Sequence, residues 1–319
     1  MIGFVVIGRN EGERLRRCLA SAPGCGDRLV YVDSGSTDAS LAVAEAAGAD
    51  IVPLERPFTA ARARNAGFKR LIARWPEVDL VMFIDGDCEL SGGFPAQAEA
   101  TLRAHPTMAV AVGRIRERHR DRSIYNRLCD LEWAGPTGEI RACSGRFMVR
   151  RSAFESVGGF DEAVIAAEDD ELCIRLRARG WTIFRLAEDM CTHDAEMTRF
   201  GQWWRRAFRA GSAYEQVGSM HAGYFAAERA RAVLWALALP VLALGGAPFT
   251  SGASLIALGL YPASYWRTRR NLLRQGTDRA DADLYAAFLS LSKFPNLLGM
   301  LDYRRKRLTR RAIGIIEYK

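Results

Sequence analysis

Short apolar runs at residues 2–7, 29–32, 51–52 and 80–84 alternate with helical patterns at 11–22, 40–47 and 59–75. This alternation limits the fold more than any other feature of the chain. A strand that returns parallel to its predecessor needs a helix-length connection, so the order predicts βαβ crossovers and a mainly parallel sheet. Ligands on such sheets bind beyond the carboxyl ends of the strands. Three polar clusters sit at those ends: Gly8-Arg9-Asn10-Glu11-Gly12, Asp33-Ser34-Gly35-Ser36-Thr37-Asp38 and Asp85-Gly86-Asp87. Each alone reads as a turn or a helix cap. Together they converge on one sheet edge.

Asp85 and Asp87 stand one residue apart at the end of an apolar run. Side chains alternate along extended backbone, so the two carboxylates point the same way and suit a shared divalent cation. A second acidic cluster, Glu168-Asp169-Asp170-Glu171, opens a predicted helix, where carboxylates meet the positive end of the helix dipole. Capping accounts for one or two acids there, not four. Crowding by like charges would raise the pKa of Asp169 and suit it to accept a proton.

Composition separates two halves of the chain. Residues 1–196 carry a net charge of −4 and residues 197–319 a net of +12, making the overall +8. Basicity confined to one end points to a polyanionic partner, and no nucleic-acid-binding motif accompanies it, so an anionic membrane surface is expected. The stretch from Ala232 to Trp266 lacks any charged residue but is broken at Gly245-Gly246-Ala247-Pro248 and Ser251-Gly252. Two apolar helices are expected, 232–247 and 253–266. At 1.5 Å per residue each reaches about 21 to 24 Å, short of a bilayer core of about 30 Å. Arg229 and Arg231 before the pair, and Arg267, Arg269 and Arg270 after it, place both outer ends on the cytosolic side of a hairpin or re-entrant element. A third apolar stretch, 284–301, interrupted by Lys293 alone, leads into Arg304-Arg305-Lys306-Arg307 and Arg310-Arg311 and reads as an interfacial helix.

The seven cysteines show no C-x-x-C pair and sit mostly in apolar segments, which fits reduced, cytosolic chemistry. The first strand begins at once, with no signal-peptide pattern, so the expected place is the cytoplasmic face of the inner membrane. Residues 114–142 read as a solvated Arg-rich stretch, 143–149 as a strand, Gly158-Gly159 as a turn, and 182–186 as a strand leading to Cys191-Thr192-His193-Asp194.

The ordered series of motifs resembles the family 2 glycosyltransferases of GT-A fold. It comprises Val6-Ile7-Gly8-Arg9-Asn10-Glu11, Val32-Asp33-Ser34-Gly35-Ser36-Thr37-Asp38, Ala61-Arg62-Ala63-Arg64-Asn65-Ala66-Gly67, Asp85-Gly86-Asp87, Gly158-Gly159-Phe160-Asp161-Glu162 and Glu168-Asp169-x-x-Leu172-x-x-Arg175. The resemblance spans residues 1 to about 212 and implies an α/β, Rossmann-like, mainly parallel mixed sheet flanked by helices. A helical, membrane-associated region would follow from 213 to 319. By the same resemblance Ile7, Arg9, Asn10, Glu11, Asp33 and Ser34 hold the nucleotide base. Arg64 and Asn65 lie near ribose and diphosphate, and Asp85 with Gly86 contacts ribose or metal. Asp87 and His193 ligate Mn²⁺ or Mg²⁺, and Asp169 is the general base.

The implied reaction transfers a sugar, with inversion, from a nucleotide-diphosphate sugar to a hydroxyl of a glycan or polyprenyl-diphosphate-linked acceptor. Glu168, Trp203, Trp204, Arg205 and Arg206 are candidates for holding acceptor or phosphate. Ser34 departs from the second acid common in the family, and Asp170-Glu171 multiplies the candidates for the base. A haloacid-dehalogenase phosphotransferase would carry its D-x-D after the first strand. A nucleotidyltransferase shares the metal logic without needing Asp169 or His193, and a membrane-bound nucleotide-sugar-binding scaffold needs no base at all.

Overall fold

The computed structural model describes residues 1–22 and 28–309, so Cys25, Arg310 and Arg311 lie outside the described residues. Contacts divide the chain into two units. One comprises Met1–His119 with Glu132–Ala195, and the other Arg120–Leu131 with the chain from Glu196 onward. The boundary expected at 212 falls inside a single helix, Phe200–Met220.

The first unit is built on one mixed sheet. Its strands are β1 (Ile2–Gly8), β2 (Leu29–Asp33), β3 (Asp50–Pro53), β4 (Leu80–Asp85), β5 (Cys88–Leu90), β6 (Met108–Glu117), β7 (Gly138–Glu139), β8 (Phe147–Arg150) and β9 (Thr182–His193). They lie in the order β3-β2-β1-β4-β8-β6-β9-β5, with β7 paired to β9. Strands β3, β2, β1 and β4 run parallel, as the crossovers predict, while β8 is antiparallel to both β4 and β6. Register brings Gly8 beside Asp33 and Ile7 beside Asp85, so the three polar clusters do share one edge.

Burial explains why the central strands read as unbroken apolar runs. Val5, Val6, Val30, Tyr31, Val32, Val81, Met82 and Phe83 are each at most 0% exposed, since helices cover both faces of the sheet. Phe83, Phe147, Phe154 and Phe160 form a tilted and edge-on aromatic cluster under the site, with centroids 5.3 to 6.1 Å apart.

Several local expectations change. Residues 114–117 are not a solvated stretch but the end of β6, where Arg114 and Arg116 point out and Ile115 and Glu117 point in. The strand expected at 143–149 begins only at Phe147, and β9 continues through His193 itself instead of stopping at 186. The six described cysteines are buried free thiols.

The second unit is helical. Helices Phe200–Met220 and Lys293–Leu308 cross so closely that a Cβ on Gly211 would meet the Asn296 carbonyl at 2.0 Å, and one on Gly299 would meet the Phe208 carbonyl at 2.0 Å. Backbone contacts backbone at this crossing, as small residues permit. Ser212 Oγ donates to the Gly299 carbonyl at 3.1 Å, and Arg304 clamps Glu215 through two bonds of 2.8 and 3.0 Å along the same seam. Replacing Gly299 with Ala should push these helices apart and lower the stability of this unit by about 1 to 3 kcal/mol. Limited proteolysis within 200–308 would report it, and unchanged resistance would contradict the packing.

The apolar helices are longer than the charge-free stretch indicated. One runs from Ala226 to Gly246, 21 residues, and another from Arg279 to Leu308, 30 residues. The expected helix 232–247 starts six residues earlier, in charged sequence, and the expected 253–266 is instead a 3-10 turn followed by helix Leu260–Arg274. At 1.5 Å per residue, 21 residues reach about 31 Å, enough for a bilayer core. In the first of these helices Val241, Leu242 and Leu244 are 58%, 69% and 61% exposed.

Candidate active site

Asp85 ends β4, and the turn after it is fixed by the Gly86 N–H, which donates to the Ile7 carbonyl at 2.8 Å. Arg64, on helix Ala60–Arg74, reaches across to this edge. It donates to Asp85 Oδ1 at 2.9 Å and to Glu168 Oε1 at 2.8 Å while only 3% exposed. A Cβ at Gly145 would come within 2.3 Å of the Arg64 guanidinium, so the backbone there must be bare. Arg146, one residue on, donates to Asp85 Oδ2 at 3.1 Å. Both oxygens of Asp85 thus face a guanidinium.

Asp87 has a different partner. Antiparallel pairing of β5 with β9 sets Cys88 beside His193, and His193 Nε2 lies 3.3 Å from Asp87 Oδ2. The Asp194 N–H donates to the Asp87 carbonyl at 3.2 Å, fixing the crossing. Burial opposes the charge on His193, but the Asp87 carboxylate more than offsets it, so the imidazole holds its proton above its ordinary range. Trp133 meets His193 edge-on at 4.6 Å and also stacks under Arg146 at 5.7 Å. Among the described residues, Asp87, Cys88 and His193 form a group whose ligand atoms lie within 4.8 Å of one another. Buried His193 Nδ1 faces Glu117 Oε2 at 3.9 Å, beyond hydrogen-bond reach, and neither it nor Asp194 Oδ1 has a hydrogen-bond partner among the described residues. Carboxylate and imidazole together suit a divalent cation, and these orphaned atoms show a polar site not saturated by the protein.

The acidic helix start, Glu168–Ala178, follows Ala167 in a left-handed conformation, φ +58°. Its acids are driven apart by their partners. Glu168 is bonded to Arg64, and Glu171 is clamped by Arg175 at 2.6 to 2.9 Å. Asp169 has no such cation; its Oδ1 accepts from the Asp170 N–H at 3.0 Å. Burial, then repulsion from Glu168 and Asp170, push its carboxyl up to about 8 against the pull of Arg64. Two neighbouring acids whose surroundings separate their roles mark an acid–base site.

Known proteins resemble this chain in sequence and in fold. The family model described as glycosyl transferase family 2 covers residues 4–158, and that of glycosyl transferase family 21 covers 136–289. Residues 4–158 are a glycosyltransferase family 2 domain. Among curated relatives, the pre-mycofactocin glycosyltransferase of Mycobacterium tuberculosis is 30% identical over 231 residues, 66% of this chain and 46% of the relative. The chain thus spans about half the length of that relative. The O-antigen chain rhamnosyltransferase RfbN of Salmonella typhimurium is 24% identical over 54% of this chain and 58% of its own. Of solved structures, the mannosyltransferase PcManGT from Pyrobaculum calidifontis, in complex with GDP-Man and Mn²⁺, superposes with a TM-score of 0.57. It is 21% identical, covering 91% of this chain and 86% of that one. S. aureus TarS 1-349 gives 0.51 at 16% identity over 96% and 92%. At these identities the likeness shows the GT-A fold.

Within this fold the remaining expected residues fall into two groups. Asp33 is buried and turned into its own loop, accepting from the Gly35 and Ser36 N–H groups at 3.0 and 2.9 Å. Asn10, at φ +56°, accepts from the Thr37 N–H at 2.7 Å, Glu11 donates its N–H to Ser40 Oγ at 3.1 Å, and the Ser34 N–H donates to the Gly8 carbonyl at 3.0 Å. These residues brace the first two loops against each other. Arg9 lies over the Phe58 ring at 5.5 Å.

Three of the expected residues are engaged within the chain. The Asn65 amide binds the Phe160 backbone in both directions, at 2.9 and 3.0 Å, and Glu162 at 3.0 Å. Asp85 bridges Arg64 and Arg146 and is absent from the cation-ready group. Trp203 is 8% exposed and packs edge-on against Phe288 at 4.8 Å within the helical unit, so it fills a core instead of gripping a phosphate. Arg205 is exposed, Trp204 is half-buried against Phe200, and Arg206 reaches Cys129 Sγ at 2.7 Å. Sequence reasoning missed Arg146, Trp133 and Glu117. A lone arginine before a strand has no spacing signature, and Glu117 was hidden in an arginine run whose inside–outside alternation is visible only in the register of β6.

Proposed function

We propose that this chain transfers a sugar from a nucleotide-diphosphate sugar to an acceptor hydroxyl with inversion at the anomeric carbon. The observation that carries this reading is Asp169. It is an acid set up to exchange a proton near neutral pH, beside an arginine that ties its helix to the D-x-D edge. Asp169 takes the proton of the acceptor O–H as the oxygen bonds to the anomeric carbon on the face opposite the departing diphosphate. The bond from that carbon to the phosphate oxygen breaks, and its electrons leave with the nucleoside diphosphate. Arg64 holds Glu168 and Asp85 so that the base and the donor edge keep their spacing.

Asp87 and His193 are the residues that would hold Mn²⁺ or Mg²⁺. A cation bound there would offset the negative charge growing on the leaving diphosphate. His193 must give up its proton to serve as a ligand. The acceptor is a glycan or a lipid-linked saccharide, and the exposed apolar helices Ala226–Gly246 and Arg279–Leu308 support work at a membrane surface on its cytosolic side.

Nucleotide-sugars screened with Mn²⁺ should raise the melting temperature and be turned over, with product of inverted anomeric configuration by NMR. Chelation should remove both effects. Asp87→Ala should cost at least about 10- to 100-fold in turnover, the loss seen when even a metal's outer partners are disturbed. A retained anomeric configuration, or donor binding and turnover indifferent to chelator, would refute the respective part.

A further inference from the structure

Helices of the second unit enclose a cavity of about 120 Å³, lined by Arg231, Trp235, Tyr261, Ser264, Thr268 and Lys293 among others. That is well above the ~10–15 Å³ that admits a single water. Its chemistry is one-sided. Arg231 and Lys293 bring two cations, and Ser264 and Thr268 bring hydroxyls, while the Ser290 hydroxyl donates to the Ala286 carbonyl at 3.0 Å. Arg231 Nη2 lies 3.3 Å from Glu228 Oε1, and the same carboxylate also attracts Lys293. Lys293 makes no hydrogen bond or close ion pair among the described residues, although it is only partly exposed and interrupts an otherwise apolar stretch. Two cations against one carboxylate leave a net positive charge that a further anion offsets.

The surroundings of the cavity define the rest of the ligand. Trp235 and Tyr261 pack together at 5.6 Å, and the Tyr261 hydroxyl donates to the Trp235 carbonyl, giving a rigid aromatic wall. Leu289 lines the cavity, and Leu234, Leu237 and Leu260 nearby in sequence to its walls are 51%, 46% and 51% exposed. Cations and hydroxyls inside, with bare apolar side chains outside, match a phosphate head on an apolar tail. We propose that this cavity is a binding site for the phosphate of an amphiphile, the phosphomonoester head of a lipid, separate from the sugar-transfer site. The phosphate oxygens bridge Lys293 and Arg231 and accept from the hydroxyls, while the tail lies along the apolar helix surface.

The test uses the full chain and two cavity variants, Lys293→Gln and Ser264→Leu, with exposed Arg270→Gln as the control for diffuse surface charge. Co-sedimentation is measured with vesicles of phosphatidylcholine alone, with phosphatidate, and with phosphatidylserine matched in surface charge. The expected result is preference for phosphatidate, reduced about tenfold or more by either cavity variant. Arg270→Gln should lose no more than the roughly fivefold of one delocalised charge. Ser264→Leu leaves every charge in place, so it keeps the test valid if Lys293→Gln misfolds by circular dichroism. Thermal stabilisation by inorganic phosphate in neutral detergent separates the sources: stabilisation abolished by Lys293→Gln means that the phosphate group suffices, and its absence beside phosphatidate preference means that the lipid is required. Equal losses in Lys293→Gln and Arg270→Gln, or no dependence on the cavity variants in either assay, would overturn the site.

Discussion

Asp169→Asn should lose about 10²- to 10⁴-fold in kcat while binding donor as the wild type does, because the amide keeps the shape of the carboxyl and cannot take a proton. The two glutamates of the cluster cannot stand in for it readily, since Glu168 and Glu171 are held by Arg64 and Arg175. The pH profile gives an independent reading. Burial and the flanking acids hold the Asp169 proton up to about 8, and a base works only after losing it. Wild-type kcat/KM should rise with pH through about 8 and level off above it. In Asp169→Asn the residual rate should lack that limb.

The same shift has a stability consequence of opposite sign. A carboxyl whose folded pKa lies above its unfolded value stabilises fully below the unfolded value, and that contribution is lost as pH rises through about 8. Asp169→Asn removes the buried charge, so the variant should melt higher than the wild type in alkaline buffer and lose this advantage in acid. Full turnover in Asp169→Asn would sink the base assignment, whatever the melting curves show.

What the sequence made legible follows from how local each signal is. The parallel core of β1 to β4 could be read because its strands are buried in the sheet and each is joined to the next by a helix-length crossover, between neighbours for β1, β2 and β3. Asp85, Asp87 and Asp169 could be read because each sits at the end or start of such an element. The far half of the sheet was read poorly: β5 is three residues long, β6 ends in arginines, and the antiparallel β8 pairs through contacts distant in sequence. Asn65 shows the limit of motif transfer. It stands beside Arg64 in the chain, yet consecutive helix positions face different directions, so one residue reaches the edge and the other anchors Phe160. The helix lengths in the second unit were misjudged for a related reason. Charge ends an apolar stretch in sequence, but a helix continues through charged residues that pair with one another, as Glu228 and Arg231 do.

Arg64→Met should be the most destabilising single change at the site, by about 3 to 5 kcal/mol, because it strands two partners at once. Glu168 is 7% exposed and would lose its cation, and Asp85 would keep only Arg146. For a chain of this size that corresponds to a fall in melting temperature of about 6 to 20 °C. Lysine should not rescue it: one ammonium cannot reproduce the planar fork that meets Glu168 with one nitrogen and Asp85 with the other. Arg146→Met offers the contrast, since its ion pair is with an Asp85 side chain that is 26% exposed, and its cost should be smaller. The effect on chemistry runs through Asp169. Arg64 is the charge that lowers the Asp169 pKa, so its removal should move the rising limb of the pH profile further into the alkaline range in whatever fraction remains folded. Denaturant melts of Arg64→Met, Arg64→Lys and Arg146→Met, run beside their pH profiles, separate the two roles. An Arg64→Met protein as stable as the wild type would show that Glu168 and Asp85 do not depend on that guanidinium, and the link from base to donor edge would fail with it.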